Sequence, residues 1–359
     1  MSQLNIMAEW DRLKRLSAIG DPLERINSVI DWEAFRPTLE NAYRNEPKGL
    51  GGRPPIDRVL MFKISMLQQW YNVSDDAAEY VINDRLSFQR FLGMSLSDKV
   101  PDAKTIWAFK EHLKNSGVYR ELFDLFNRQM EKEGIITRAG SLIDASFVDV
   151  PRQRNTREEN KIIKEGGIPM DWLDTGKVNM FEQKDVDARW TKKNEETHYG
   201  YKDHVKVDRD SKIIVAFEVT AANVHDSNCF EKLIDKYDKA VWADSAYVGE
   251  AIKASILEKF LDLEMHINEK GNRNRQLTNE QKEKNREKST IRARVEHVFG
   301  YMTVSMRGMF LRCIGIERAT RDIALKNLGY NMRRLECLVR LGKAPFIASN
   351  QGDCLPISG

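Results

Sequence analysis

Three acidic residues of this 359-residue sequence stand where carboxylates can do chemistry: Asp144, Asp244 and Glu296, which are 100 and 52 positions apart. Asp144 interrupts the apolar run of Leu142, Ile143 and Ala145. A carboxylate inside such a core strand is costly unless it is paired or bound to a metal. Asp244 follows Val241-Trp242-Ala243 at a strand's carboxyl end, a usual place for ligand groups in such sheets and also for caps. Glu296 stands among Arg292, Arg294 and His297, where a helical ion pair is the alternative reading. Hard Mg²⁺ ions prefer carboxylate oxygens and retain several waters, so three acidic groups on rigid elements suffice to hold them. Two such ions about 3.5 to 4 Å apart serve phosphoryl transfer, one activating the attacking oxygen and one stabilising the leaving oxygen.

The elements that must position these groups can be read from periodicity. The first 135 or so residues are helical. Trp10, Leu13, Leu16 and Ile19 recur at three-residue spacing, and the apolar run from Val59 to Leu67 follows Gly51-Gly52-Arg53-Pro54-Pro55. Ser74 caps a helix carrying Ala77, Ala78, Tyr80, Val81 and Ile82, and another after Asp102 turns Ile106, Trp107, Phe109 and Leu113 to one side. Short capped helices are compatible with a helix-turn-helix-like DNA reader and with other helical domains. At Ser141 the period changes from about 3.6 to 2. Strands are expected at Ser141 to Val150, Tyr199 to Val207, Ile213 to Thr220, Ala240 to Asp244 and Leu263 to Ile267. Helices are expected near Cys229 to Tyr237, Glu250 to Phe260 and from Asn279 past Phe299, with helical sequence continuing to Leu341. The polar stretch Pro151 to Lys193 lacks sustained periodicity and is expected to be a long basic loop. The tail from Phe346 is expected to be flexible.

Composition narrows the class. With 41% hydrophobic and 31% charged residues, the chain can bury a sizeable core. It contains no run of about 18 apolar residues, and its amino terminus is not a secretion signal, so no membrane role is expected. Four widely spaced cysteines without a CxxC pair fit a reducing cytoplasm. Net charge is only +3, but Asn268 to Arg294 carries a net +5 and Arg307 to Lys343 a net +6. Two basic stretches can lie along a polyanion, and solvated helix faces are the alternative.

The order of strands and helices after Ser141 is that of a ribonuclease H-like α/β fold, a mixed sheet flanked by helices. It is preceded here by an all-helical amino-terminal domain and followed by basic helical sequence. Its stretches LIDASFVDVPRQRN, DARWTKKNEETHYGYKDHVKVD, VTAANVHDS, VWADSAYVG and STIRARVEHVFGYM resemble the DDE-type transposases of bacterial insertion sequences, specifically the group numbered five. The resemblance runs from about Gly51 to Arg334. It implies a DNA transposase with Asp144, Asp244 and Glu296 as catalytic, metal-holding triad. Mg²⁺ is the implied cofactor, Mn²⁺ its substitute, and the implied reaction cuts and joins at terminal inverted repeats. It further implies double-stranded DNA as partner, a homo-oligomer in the DNA complex and a place at the bacterial nucleoid. Expected domains are 1–135 for DNA binding and 136–345 for catalysis, the latter including the loop 151–193.

Arg53, Lys202, His204, Arg292, Arg294 and Arg307 are the residues expected to contact DNA. The strand from His198 to His204 mixes aromatic and basic groups, a composition suited to base stacking and also to sheet packing. The family signature has Tyr and Lys where this sequence has Ser289 and Thr303, which passes the lysine's role to Arg307 or leaves it unfilled. Two alternatives therefore stay open at this stage: a non-catalytic DNA-binding relative acting as a repressor, and a ribonuclease H-like nuclease without strand transfer.

Overall fold

The computed structural model describes residues 3–44, 55–173, 181–193, 195–247, 249–271 and 276–344. The chain divides after Ile135 into two compact units. The sequence reading carries the second domain to residue 345, whereas in the structure Leu325 onward groups with the amino-terminal helices. Among the described residues no helix is long and apolar enough to cross a membrane.

The helical unit contains Gln3–Ile19, Pro22–Val29, Arg36–Asn41, Arg58–Tyr71, Asp75–Asp84, Leu86–Leu92, Ala103–Ser116 and Val118–Lys132. Side-chain caps begin several of them. Asp57 accepts from the Leu60 N–H at 2.9 Å, Ser74 from Ala77 at 3.2 Å and Asp102 from Thr105 at 2.8 Å, satisfying donors that a first turn leaves orphaned. The core is aromatic: Trp32 meets Phe91 edge-on at 5.5 Å, and Trp70 meets Phe91 at 5.7 Å. The carboxyl half of helix Ile316–Arg340 is fixed here, since Gly329 O accepts Trp70 Nε1–H at 2.8 Å and Glu336 pairs with Arg25 at 2.8 Å. Some apolar residues expected inside lie outside: Trp10, Ile19, Tyr80 and Trp107 are all exposed. The helices form as the spacing predicts, but these side chains cover no core.

The second unit is built on six strands: β1 Ser141–Asp149, β2 Arg189–Lys193, β3 Glu196–Asp208, β4 Ile214–Ala221, β5 Ala240–Ala243 and β6 Glu264–Ile267. Their order is β2-β3-β1-β5-β6, with β4 also pairing β3. β3 runs antiparallel to β1, β2 and β4, whereas β1, β5 and β6 are mutually parallel. An antiparallel meander continued by parallel strands that follow helices is the ribonuclease H-like order expected from the sequence. One face is closed by helices Ser227–Leu233 and Glu250–Lys259, whose Phe230, Leu233 and Ile256 pack on Ile143, Val241 and Ala243. Each such side chain contributes roughly 1.5–3 kcal/mol when fully buried.

The segment 151–193 departs from expectation because much of it is structured. Thr156 and Glu159 form a reciprocal capping box that opens helix Arg157–Lys164. Trp172 is fully buried and donates to Glu159 at 2.7 Å, and the segment ends in β2. Helix Asn279–Val304 and helix Ile316–Arg340 are also separate, where the sequence reading runs helical character on without a break.

Gly200 sits opposite Asp149 where β1 and β3 finish pairing, with φ +148. A Cβ there would lie 2.3 Å from Val148 O. Gly200→Ala is therefore expected to destabilise the protein by about 2–4 kcal/mol, through backbone strain and overpacking. Urea denaturation followed by circular dichroism checks this, and an unchanged midpoint refutes the close approach.

Candidate active site

The site begins with strand register. β1 and β5 pair in parallel with Ile143 opposite Ala243, and the residue after each is an aspartate, Asp144 within β1 and Asp244 just past the end of β5. Level residues on neighbouring strands project from one face about 4.8 Å apart. Asp144 lies mid-strand and half-buried. Burial raises its carboxyl above the ordinary range, the Ala145 N–H and the Arg292 and Lys193 charges pull it back, and Asp244 pushes it up again. Asp244, at the end of β5, accepts from the Ser245 N–H at 2.6 Å, and its carbonyl accepts from Tyr247 N at 3.0 Å. That turn buries Tyr247, whose hydroxyl has no partner and whose titration is driven far up, first by burial and then by Asp144.

Helix Asn279–Val304 starts with a capping box of Thr278 and Gln281, buries Val295, Val298 and Met302, and packs against β1 and β5. Arg292 on this helix reaches Asp144 with Nη1 at 3.3 Å, while its buried Nε has no partner. Glu296, one turn later, is exposed. The structure thus groups Asp144, Asp244 and Arg292 but does not draw Glu296 into that cluster. Among the described residues no three His, Cys, Asp or Glu side chains gather as a ready metal cage. At the two positions where the family signature differs, Ser289 accepts from Asn268 at 3.0 Å and Thr303 is exposed.

The residues expected to touch DNA are placed very differently from one another. Arg53 lies outside the described residues. Arg294 is half-exposed and donates to Arg209 O at 3.0 Å beside Asp210, and Arg307 is exposed just past the helix end with φ +58. Lys202 and His204 are buried. Lys202 Nζ donates to Asp226 at 2.7 Å and to Val224 O at 2.8 Å, and His204 Nε2 shares a hydrogen bond with Thr220 Oγ1 at 2.9 Å. Neither can reach a DNA strand in this conformation. Tyr199 and Tyr201 are likewise interior, and Tyr201 donates to both oxygens of buried Asp185 at 2.7 and 2.8 Å. Asp226 thus anchors the interior. The signal that could have found it is the presence of Lys202 on a strand of buried residues, which demands a carboxylate nearby.

His204 yields a pH prediction. Burial lowers its pKa to about 4, with Asp226 opposing that shift, while an unfolded histidine titrates near ~6.5. The unfolded chain thus binds the extra proton first, so the stability present above pH ~6.5 is lost as pH falls toward 4. His204→Asn is expected to lose less stability than wild type between pH 7 and pH 5. Urea midpoints at the two values measure this, and equal losses refute it.

Comparison with known proteins matches this geometry to a family. A model described as "Transposase domain (DUF772)" matches residues 11–112, and one described as "Transposase DDE domain" matches residues 137–332. Among solved structures, a cryo-EM structure of the piggyBac transposase synaptic complex with hairpin DNA is similar at 12% identity and a TM-score of 0.46, covering 91% of this chain and 77% of that one. The second family match alone takes in more than half of the sequence and includes Asp144, Asp244, Arg292 and Glu296; this chain belongs to the DDE-type transposases.

Proposed function

We propose that this transposase cuts DNA at the terminal inverted repeats of an insertion sequence and joins the freed 3′ ends to target DNA, with Asp144, Asp244 and Glu296 as its catalytic carboxylates. The observation that carries the proposal is the parallel register that pairs Ile143 with Ala243, after which Asp144 and Asp244 follow on neighbouring chains and feel each other's charge. Hard oxygen donors on one sheet face suit Mg²⁺, and Mn²⁺ shares that preference. When bound there, the metal would supply Lewis-acid charge for in-line displacement at phosphorus. The chain's own residues do the rest. Asp144 and Asp244 offer oxygens from rigid strands, and Glu296 adds the third carboxylate from the helix. Arg292, whose Nε–H is uncommitted, grips a phosphate beside them, since guanidinium matches phosphate bidentately. Arg294 and Arg307 hold backbone phosphates further along, and Arg53 does so from the amino-terminal region. Joining two ends in one event calls for a homo-oligomer on DNA, and a genomic substrate places the protein at the nucleoid.

The test uses labelled DNA carrying the element's ends, incubated with Mg²⁺ and wild type, Asp144→Ala, Asp244→Ala or Glu296→Ala. Each substitution is expected to remove several kcal/mol of transition-state stabilisation, on the order of a thousandfold in rate, with end binding retained. Wild type that binds the ends without cutting supports a repressor instead. Nicking without joining supports a nuclease, and an alanine variant that cuts normally removes its residue from the site.

A further inference from the structure

A pocket of the sheet unit, about 330 Å³ in volume, lies beyond the end of β1 and is lined by residues 150–153, 183–185 and 312–314. It is separate from the aspartate pair, because Val150 is six residues past Asp144 along an extended strand, roughly 20 Å at about 3.3 Å per residue. Its charged lining is Arg152, Lys184, Arg312 and Asp185. Asp185 is fully committed, accepting from Tyr201 at both oxygens and from the N–H groups of Asp187, Ala188 and Gly315. Two of the cations are held by hydrogen bonds of another kind. Arg152 donates to Thr197 O at 3.2 Å, and Lys184 donates to Arg154 O at 3.0 Å and Asn155 Oδ1 at 2.8 Å. These hydrogen-bond acceptors are all neutral; among the described residues Arg152 has no carboxylate hydrogen-bonded to it, while Lys184 also feels the charge of Glu159.

Aromatic faces lie behind each cation. Arg152 sits over the Trp190 ring at 5.5 Å, Lys184 over Trp172 at 5.0 Å and Arg312 over Phe310 at 5.7 Å. Trp190 and Phe310 are partly exposed. A cluster of three cations around a cleft attracts an anion, and exposed rings and guanidinium planes give an unpaired base a stacking surface. The volume falls at the lower end of the roughly 300–1,000 Å³ range of ligand clefts, which suits one nucleotide and excludes a duplex.

We infer that this pocket is a second DNA subsite that takes a phosphodiester of single-stranded DNA, with Arg152, Lys184 and Arg312 on the phosphate and a base stacked beside Trp190 or Phe310. The subsite rests on the transposase reading for its source of unpaired DNA, but its binding does not depend on cutting.

The experiment measures fluorescence anisotropy of a labelled ten-nucleotide oligothymidine with the full chain, over a salt series. Wild type, Asp144→Ala, Arg152→Ala/Arg312→Ala and Lys184→Gln are compared, with circular dichroism to confirm folding. The double variant is expected to weaken binding at least tenfold and to lower the log–log salt slope by about 1.4, at roughly 0.7 per lost phosphate partner on single strands. Lys184→Gln, which keeps the neutral hydrogen bonds, lowers it by about 0.7. An abasic oligomer is expected to bind wild type more weakly than the oligothymidine. Unchanged affinity and slope in folded variants overturn the subsite, as does equal competition by a blunt duplex lacking the terminal repeats. Failure of wild type to cut, with these binding losses intact, overturns only the transposition chemistry.

Discussion

Everything about the candidate site depends on one constraint, the register between β1 and β5. Side chains alternate along a strand, so a slip of one residue would turn Asp244 to the opposite face and put Ala243 beside Asp144. Two features oppose such a slip. Val241 and Ala243 pack into the cluster of Phe230, Leu233 and Ile256 on the far face. Trp242, on the near face, stacks on His266 of β6 at 4.5 Å, lies beneath the Arg209 guanidinium and crowds Gly140, where a Cβ would meet its ring at 2.6 Å. A short four-residue strand is thereby gripped on both faces, and the position of the aspartate that follows it is set by the packing of the three residues before that aspartate.

The central strand β3 holds β1 from the other side, at an unusual electrostatic cost. Its alternation sends Tyr201, Val205 and Val207 to one face and Lys202, His204 and Lys206 to the other, and all six are buried. Lys206 is answered by Asp235 at 2.7 Å and Asp238 at 2.9 Å, and Asp238 also accepts from Ser141 of β1 at 2.7 Å. Lys202 is answered by Asp226. Such pairs add little net stability over apolar residues, but removing one partner typically costs about 3–5 kcal/mol. Their geometry therefore penalises misregistered pairing more than oily side chains would. The strand that reads in sequence as a nucleic-acid surface serves the sheet instead.

The strands carrying Asp144 and Asp244 were legible because their signals are local: a shift to period two at Ser141, and a short apolar run ending at Asp244. The caps at Ser74 and Asp102 were legible for the same reason. Burial was harder, because it is decided by partners distant in sequence. Nothing near Trp10 or Trp107 shows that their helices leave those faces uncovered, and nothing near Lys202 names Asp226, 24 residues later, as its partner. The segment 151–193 is hard to read for a different reason. Its polar composition hid a signal that was present, since Thr156 and Glu159 have capping-box spacing and Trp172 is an aromatic in search of a core. Composition argued for a loop where spacing argued for a helix, and spacing carried the physics.

The contact between Arg292 and Asp144 explains how a carboxylate can stay half-buried on a core strand. A tight bidentate pair would hold it too well, since charge-assisted forks are among the strongest hydrogen bonds in proteins. Here the guanidinium reaches over with one nitrogen at 3.3 Å and leaves its Nε unsatisfied. The contact offsets part of the burial penalty that raises the Asp144 carboxyl, yet it is long and single, so little is lost when it breaks. On the proposed reading, release would serve both partners, because a carboxylate oxygen freed toward a cation and a guanidinium freed toward a phosphate would each gain a better-matched counter-charge. Glu296 lies on the same helix, four residues beyond Arg292. On the proposed reading, the third carboxylate therefore stands one helical turn from the guanidinium that contacts the first, on the same rigid element.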